Sequence, residues 1–451
     1  METPKLTTRH IFLTWWPLAA SWLLMGIELP AISVVIARLA NPEISLAAYG
    51  GVIFPLALLI ESPIVMLLAA STALSKDWAS YIKIRRFMMI TSAALTILHL
   101  VIVLTPLYYI LVRGILGVPE EIIEPARIGL MIMSPWTWSI AYRRFHQGVL
   151  IRFGHSKAVS IGTLIRMGAD LTVLGIGFVI GSIPGVIVAT SAVAVGVISE
   201  ATYVGIVVRP VLKHELKLAS AINPPLTMHA FFRFYVPLVL TSLLSLMVQP
   251  IGSAALSRMP QALESLAAWS VVTGLVLMMR SFGIAYNEVV VALLDEQRSA
   301  AKLWHFASII IFITSVIGLV ITATPLSGFW FQTVSALPIE LAQLAQLGIW
   351  ITLPMPTLAV LQSWYQGAIL HSHNTRGITE AVLIYLLVNI CTLLLGVKLG
   401  NITGLYVGLT SFVLSTVAQT AWLWYRSRGM IQAVHDRDEV DIALPPAEII
   451  S

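Results

Sequence analysis

Twelve stretches of this chain are apolar for roughly twenty residues or more, and no other feature restricts its fold as strongly. Hydrocarbon offers a backbone no water. A run of that length therefore crosses about 30 Å of bilayer core as an α-helix that satisfies its own N–H and C=O groups. The runs lie near 12–36, 46–72, 87–111, 123–142, 158–180, 185–208, 234–256, 266–292, 304–323, 342–366, 377–396 and 403–425. The alternation that marks a membrane β-barrel is absent. Composition agrees: 58% of the 451 residues are hydrophobic, 11% are charged and the mean hydropathy is +0.88, outside the range of soluble domains. The first run follows Lys5 and Arg9 and imitates a signal peptide. Its length, its Glu28 and Pro30, and its place in the repeat described below read as a permanent helix instead.

Lys and Arg accumulate in short cytoplasmic loops, so their distribution sets orientation. With the N-terminus inside, twenty fall in inner segments, Arg143, Arg144 and Arg152 among them. The outer segments hold five: Arg38, Arg113, Arg127, Arg258 and Lys398. Both termini are expected in the cytoplasm and the protein in a plasma membrane, of the bacterial inner-membrane kind. The pI near 9.3 then reflects topology and not a nucleic-acid footprint. Cys391 is the only cysteine, which excludes an intrachain disulfide and a cysteine metal cluster.

The phrase 45-SLAAY-49 returns as 265-SLAAW-269. At the same offset of 220, Pro17 matches Pro237, Pro30 matches Pro250 and Arg38 matches Arg258. At 219, 105-TPL-107 matches 324-TPL-326, Pro119 matches Pro338, Gly129 matches Gly348, Pro135 matches Pro354, and 145-FHQGVL-150 matches 364-WYQGAI-369. Each copy holds six runs, an even number, so both enter the membrane in the same direction. The expected fold is an all-α membrane protein of twelve transmembrane helices in two parallel six-helix lobes, related by a pseudo-two-fold axis along the membrane normal. The expected division is 1–208 for the first lobe, 209–230 for a cytoplasmic linker, 231–428 for the second lobe and 429–451 for a disordered acidic tail.

This layout, with a proline in the first helix of each half and SLAA[YW] opening the second, resembles the superfamily of multidrug exporters of the MATE type and lipid-linked oligosaccharide flippases, the MOP superfamily. Within it, WWPL, then ARLANPEISLAAYGGVIFPL, then ALSKD is most similar to the progressive-ankylosis type of transporter. The resemblance implies a cleft between two lobes that opens alternately to either side, and export of anions such as pyrophosphate, citrate or nucleotides, or of drugs. It also implies coupling to H⁺ or Na⁺ through an acidic residue on the first helix.

An ionisable residue at the centre of a span costs about 2.5–3.5 kcal/mol on insertion scales, so those that remain face a cavity or a partner. Glu28, Glu61, Arg166, Asp170, Glu200, Arg280 and Glu288 are the pathway candidates. Glu61 and Arg280 lie about fifteen and fourteen residues into their runs, which at 1.5 Å per residue is the midplane. They stand one position from equivalence in the two copies, and are read as an inter-lobe gate, as the floor of a substrate site, as a fixed ion pair or as two unrelated buried charges. Glu28 precedes Pro30, whose ring frees a carbonyl and bends the helix, a setting for a coupling ion, a substrate contact or mere structure. Pro250 is the corresponding bend. Arg166 and Asp170, four apart, form an intrahelical pair or a polar cleft wall. Glu200 shows no obvious partner, and Glu288 sits near the inner mouth. The Gln-Gly pairs at 147 and 366 read as closely packed helix ends, and His371 and His373 as loop residues.

No GxxxxGK[ST] phosphate loop is present, so an ion gradient, the membrane potential or the substrate's own gradient must drive transport. No catalytic constellation, cofactor site or metal centre is expected, and no nucleic-acid partner. A monomer suffices. The alternative function is a flippase for a lipid-linked glycan or phospholipid precursor. It would want a larger, strongly basic cleft, and the sequence offers only Arg166 and Arg280 at depth, which argues against a diphosphate lipid.

Overall fold

In a computed structural model, residues 6–296, 299–371 and 376–443 are described, with side chains through 438. Among them every element is a helix. Nine are long and apolar enough to cross a membrane: Thr8–Ile36, Pro42–Leu74, Trp78–Leu104, Ser156–Ile180, Gly185–Leu218, Met228–Leu256, Ala262–Leu293, Ser299–Ala323 and Arg376–Leu399. They correspond to the first, second, third, fifth, sixth, seventh, eighth, ninth and eleventh apolar runs. Ile339–Ile351 and Met355–His371, bent by 42° at their junction, carry the tenth and bring the count to ten. The fourth and twelfth runs are also helical, on Glu120–Ile132 with Ser134–Arg152 and on Gly404–Ala443, but are less apolar. The first and seventh spans run as single helices through Pro17 and Pro30, and through Pro237 and Pro250.

The duplication is written in the backbone. Thr8–Ile36 and Met228–Leu256 share both boundaries at an offset of 220, and Glu120–Ile132 and Ile339–Ile351 do so at 219. Asn41 and Gln261, repeat mates, both adopt a left-handed conformation, at φ 50° and 55°. Each copy also has a π-helical segment after its third span, Ile110–Leu116 and Phe329–Val334. Close packing repeats as well. A Cβ on Gly177 would stand 2.3 Å from Val188, and one on its mate Gly396 would stand 2.2 Å from Val407, the mate of Val188. Between the copies, Gly50 meets its own mate: a Cβ there would lie 2.5 Å from that of Ser270.

The chain forms two compact units whose limits differ from the expected lobes. One comprises 31–270 with 400–404; the other comprises 1–30, 271–399 and 405–451. The physical reason is a reciprocal exchange of each copy's first helix. In the unit built on the first copy, Tyr235 of the seventh span donates its hydroxyl to the carbonyl of Pro63 in the second, meets Phe87 edge to face and stacks with Phe231. In the other unit Trp15, the repeat mate of Tyr235, donates Nε1–H to Phe282 O at 3.0 Å and packs on Phe306. Leu6, Ile11 and Ala19 complete that core with Ala285, Val289 and Leu303. Both exchanges bury an aromatic ring whose single polar atom finds a backbone carbonyl, the condition for placing Tyr or Trp at depth.

The expected disordered tail from 429 is helical through Ala443. Its acidic stretch does not repel the fold, because Asp438 Oδ2 accepts from Ala300 N at 3.0 Å and caps the orphan donors of the ninth span. Arg437 bonds Leu294 O and Ser299 Oγ, both at 3.0 Å, while Ile431 and Val434 pack on the core. His373 and residues 444–451 lie outside the described residues. The linker is shorter than 209–230, since the sixth span's α-helix reaches His214 and the seventh begins at Met228. Asp77 pins it. One carboxylate oxygen caps the third span through Ser80 N at 2.9 Å, and the other accepts from Ile222 N at 3.1 Å. Burial raises the Asp77 pKa, but these hydrogen bonds outweigh it and hold the carboxyl below its ordinary 3.8.

Two outcomes follow for melting in detergent. Gly177→Ala and Gly396→Ala each lose about 1–3 kcal/mol by overpacking, while Gly175→Ala, where a methyl group meets nothing within 4 Å, is neutral. Asp77→Ala loses about 0.5–2 kcal/mol at neutral pH. That difference shrinks as pH falls below 3.8, because the wild-type carboxyl then takes up its proton and gives up its capping advantage.

Candidate functional site

Each unit carries its own group of polar side chains inside the helices. In the unit of residues 31–270, it centres on Glu200 of the sixth span, whose side chain is fully buried. Arg143 Nη1 lies 2.5 Å from Glu200 Oε2, Gln147 Nε2 donates to Oε1 at 2.9 Å, and Arg166 Nε stands 3.5 Å from Oε2. Arg143 and Gln147 are four apart and so face the same way from the fourth span. Glu200, which showed no partner in the sequence, thus has three side-chain partners on two other helices.

Glu61 is buried beside this group, in the field of Arg144 and Arg143. It stands two residues before Pro63, the same Glu-x-Pro order as Glu28 and Pro30. Pro63 lacks the N–H that Leu59 O would accept, and Ser62 Oγ supplies a replacement at 2.8 Å. Asp170 of the fifth span is buried against Gly196, where a Cβ would come within 1.7 Å of its Oδ1. Three acids, Glu61, Asp170 and Glu200, thus share this unit's interior with three arginines, Arg143, Arg144 and Arg166.

The other unit holds the remaining candidates. Arg280 and Glu288 line a cavity of about 280 Å³ with Trp22, Asn287, Gln362 and Gln366. Asn287 Nδ2 donates to Ser363 O at 3.2 Å and Gln362 Nε2 to Gln419 Oε1 at 2.9 Å, which fixes the cavity's amides. The guanidinium of Arg280 stands 5.4 Å from the Phe412 ring centroid and near Tyr385. Its Nε is buried with no hydrogen-bond partner, and within this unit no carboxylate pairs with it among the described residues. Glu288 is exposed at the rim and Glu28 is half-buried on the first span. A planar cation with open donors, ringed by amides, suits an oxyanion or another oxygen-rich group.

Within their own units, Glu61 stands in the field of Arg143 and Arg144, and Arg280 beside Tyr385 and Phe412. Arg143 and Arg144, expected in an inner loop, lie inside the helix Ser134–Arg152. Gln147 and Gln366 likewise lie within helices, where Gln147 bonds Glu200 and Gln366 lines the cavity of Arg280. Their Gly148 and Gly367 do pack closely, against Leu68 O and Val290.

The repeat contained the missing signal. At the offset of 219, Arg143 matches Gln362 and Glu200 matches Gln419, and both pairs are in contact. One copy thus keeps as a neutral hydrogen bond what the other writes as an ion pair. Glu200→Gln strands Arg143 in the interior and costs about 3–5 kcal/mol. The double change Arg143→Gln with Glu200→Gln installs the pair found in the second copy, and should recover most of the loss in a thermal scan.

No protein-family model and no curated protein matches the sequence. Solved structures match over nearly the whole chain. The lipid II flippase MurJ, in an inward closed conformation, aligns with a TM-score of 0.68 at 15% identity, over 94% of this chain and 91% of its own. An inward-facing multidrug resistance transporter of the MATE family aligns at 0.61 and 16%, over 91% and 96%. A MOP-superfamily transporter from Pyrococcus furiosus, described as having a binding pocket of reverse polarity, aligns at 0.60 and 15%, over 94% and 96%. The chain is a multi-pass membrane protein with the fold of the MOP superfamily, shared by MATE exporters and MurJ.

Proposed function

We propose that this protein is a secondary transporter that moves a small organic or phosphorylated anion across a plasma membrane by alternating access, with both termini in the cytoplasm. The observation that carries the anion is Arg280: a cation with an open buried Nε, lining a polar cavity and lacking a carboxylate partner in its unit among the described residues. Arginines 143, 144 and 166 are matched by three acids in theirs, so Arg280 is the guanidinium left for a ligand. An inside-negative potential favours anion export, each charge moved being worth about 2.3 kcal/mol per 100 mV. Glu28 and Glu61, each before a proline, are the proposed carriers of an H⁺ or Na⁺ coupling step. A pocket of reversed polarity in the Pyrococcus furiosus relative supports substrates unlike those of drug exporters.

Proteoliposomes loaded with pyrophosphate, citrate, ATP or ethidium, under imposed H⁺ or Na⁺ gradients, test the reading. Arg280→Gln should raise the KM for the transported anion about ten- to a hundred-fold, as loss of a charged hydrogen bond implies. Transport of ethidium alone, or anion transport indifferent to Arg280, would overturn it. The second reading, flipping of a lipid-linked precursor, is favoured by the alignment with MurJ. It predicts no movement of any soluble solute, but translocation of a labelled lipid diphosphate.

A further inference from the structure

Where the twelfth span leaves the expected membrane region, it forms a groove with the ninth and tenth spans that the transport reading does not use. Its volume is about 620 Å³, and Trp304, Trp364, Trp424, Arg428, Gly429 and Gln432 are in its wall. The three tryptophans come from the start of the ninth span, the second half of Met355–His371 and the end of the twelfth apolar run. Spans crossing in alternate directions bring those ends to one membrane face, so the rings form part of an interfacial belt. Trp304 and Trp364 lie 5.9 Å apart, while Trp424 and Trp304 are half exposed.

The charge is equally telling. Arg426 pairs with Glu380 at 3.2 Å and Arg437 with Asp438 at 2.8 Å. Arg428, between them on the same helix, pairs with no carboxylate in its unit among the described residues. Its guanidinium lies over the rings of Trp424 and Tyr425 at 5.0 and 5.4 Å, which fixes it at the groove wall with its donors unspent. A Cβ on Gly429 would meet nothing within 4 Å, so the floor is open. Away from the groove, the ninth and twelfth spans continue with exposed apolar side chains, Phe312 and Val316 on one, Leu414 and Val417 on the other.

We propose that this groove binds the headgroup of an anionic phospholipid, its phosphate on Arg428, its glycerol region against the tryptophans and its acyl chains along the two apolar helix faces. A cation at headgroup depth, framed by interfacial aromatic rings and continuous with lipid-facing helix surface, matches an anionic lipid in both charge and polarity gradient. Binding here is independent of whether the protein transports an anion.

Native mass spectrometry of the purified protein, incubated with phosphatidylglycerol or phosphatidylcholine of identical chains, provides the test. Wild type should retain phosphatidylglycerol preferentially, and Arg428→Gln should reduce that retention about five-fold, the ratio expected for one basic residue at a lipid surface. Gly429→Phe, which fills the floor and keeps the arginine, should lose the lipid as well, with lipid-free melting unchanged in both variants. Equal retention of the two lipids, or retention unaffected by either variant, would overturn the proposal. So would displacement of the lipid by millimolar glycerol phosphate or inorganic phosphate, which would make the groove a site for soluble anions.

Discussion

A carboxylate with no water in reach must be matched by protein donors, and Glu200 meets that demand with three side chains. Its two oxygens take Arg143, Gln147 and Arg166, so the fourth, fifth and sixth spans are tied to one buried atom group. The ion pair is weak evidence for stability, because desolvation offsets most of its attraction. Its value is in position: the donors have one arrangement that satisfies them, which fixes the rotation of three helices about their axes. In the second copy the same positions hold Gln362 and Gln419, which satisfy each other without charge. The contrast separates the geometry, which both copies need, from the charge, which one copy retains.

That asymmetry distributes chemistry between the units. The charges in the first copy's interior are largely balanced against one another, while the second presents a polar cavity lined by Arg280 and, at its exposed rim, Glu288. On the proposed reading an oxygen-rich ligand would be held in the second unit, and the first offers carboxylates whose protonation or cation binding would disturb a network already tied to three helices. Coupling between an ion and a solute needs two sites and an element with two arrangements. Helices exchanged between the copies, through Trp15 and Tyr235, place part of each copy's first helix in the other's core.

Much of this was legible in the sequence because the membrane simplifies the reading. Long apolar runs have one solution in hydrocarbon, and a six-helix repeat at an even count has one relative orientation. The offset that matched SLAA to SLAA also matched helix ends and left-handed residues in the structure. What escaped was governed by tertiary contacts. Arg143 and Arg144 look like loop residues because a window of hydropathy ends before them; only the acids Glu61 and Glu200, far away in sequence, make their burial tolerable. The exchange of first helices escaped because neither has a strongly one-sided apolar face that would mark its partner. The C-terminal helix escaped because its run of acids reads as solvated unless one knows that Asp438 has the start of the ninth span to cap.

Gly50 and Ser270 carry an implication for how such a chain arises. The two are repeat mates in direct contact within the unit of residues 31–270. In a half-length ancestor pairing with itself, that contact would bring one residue against an identical one, and both would have to be small. Fusion of the halves into a single polypeptide lifts the requirement from one side. Glycine on the first copy then leaves room for a hydroxymethyl group on the second, so the two halves no longer present the same side chain at this contact.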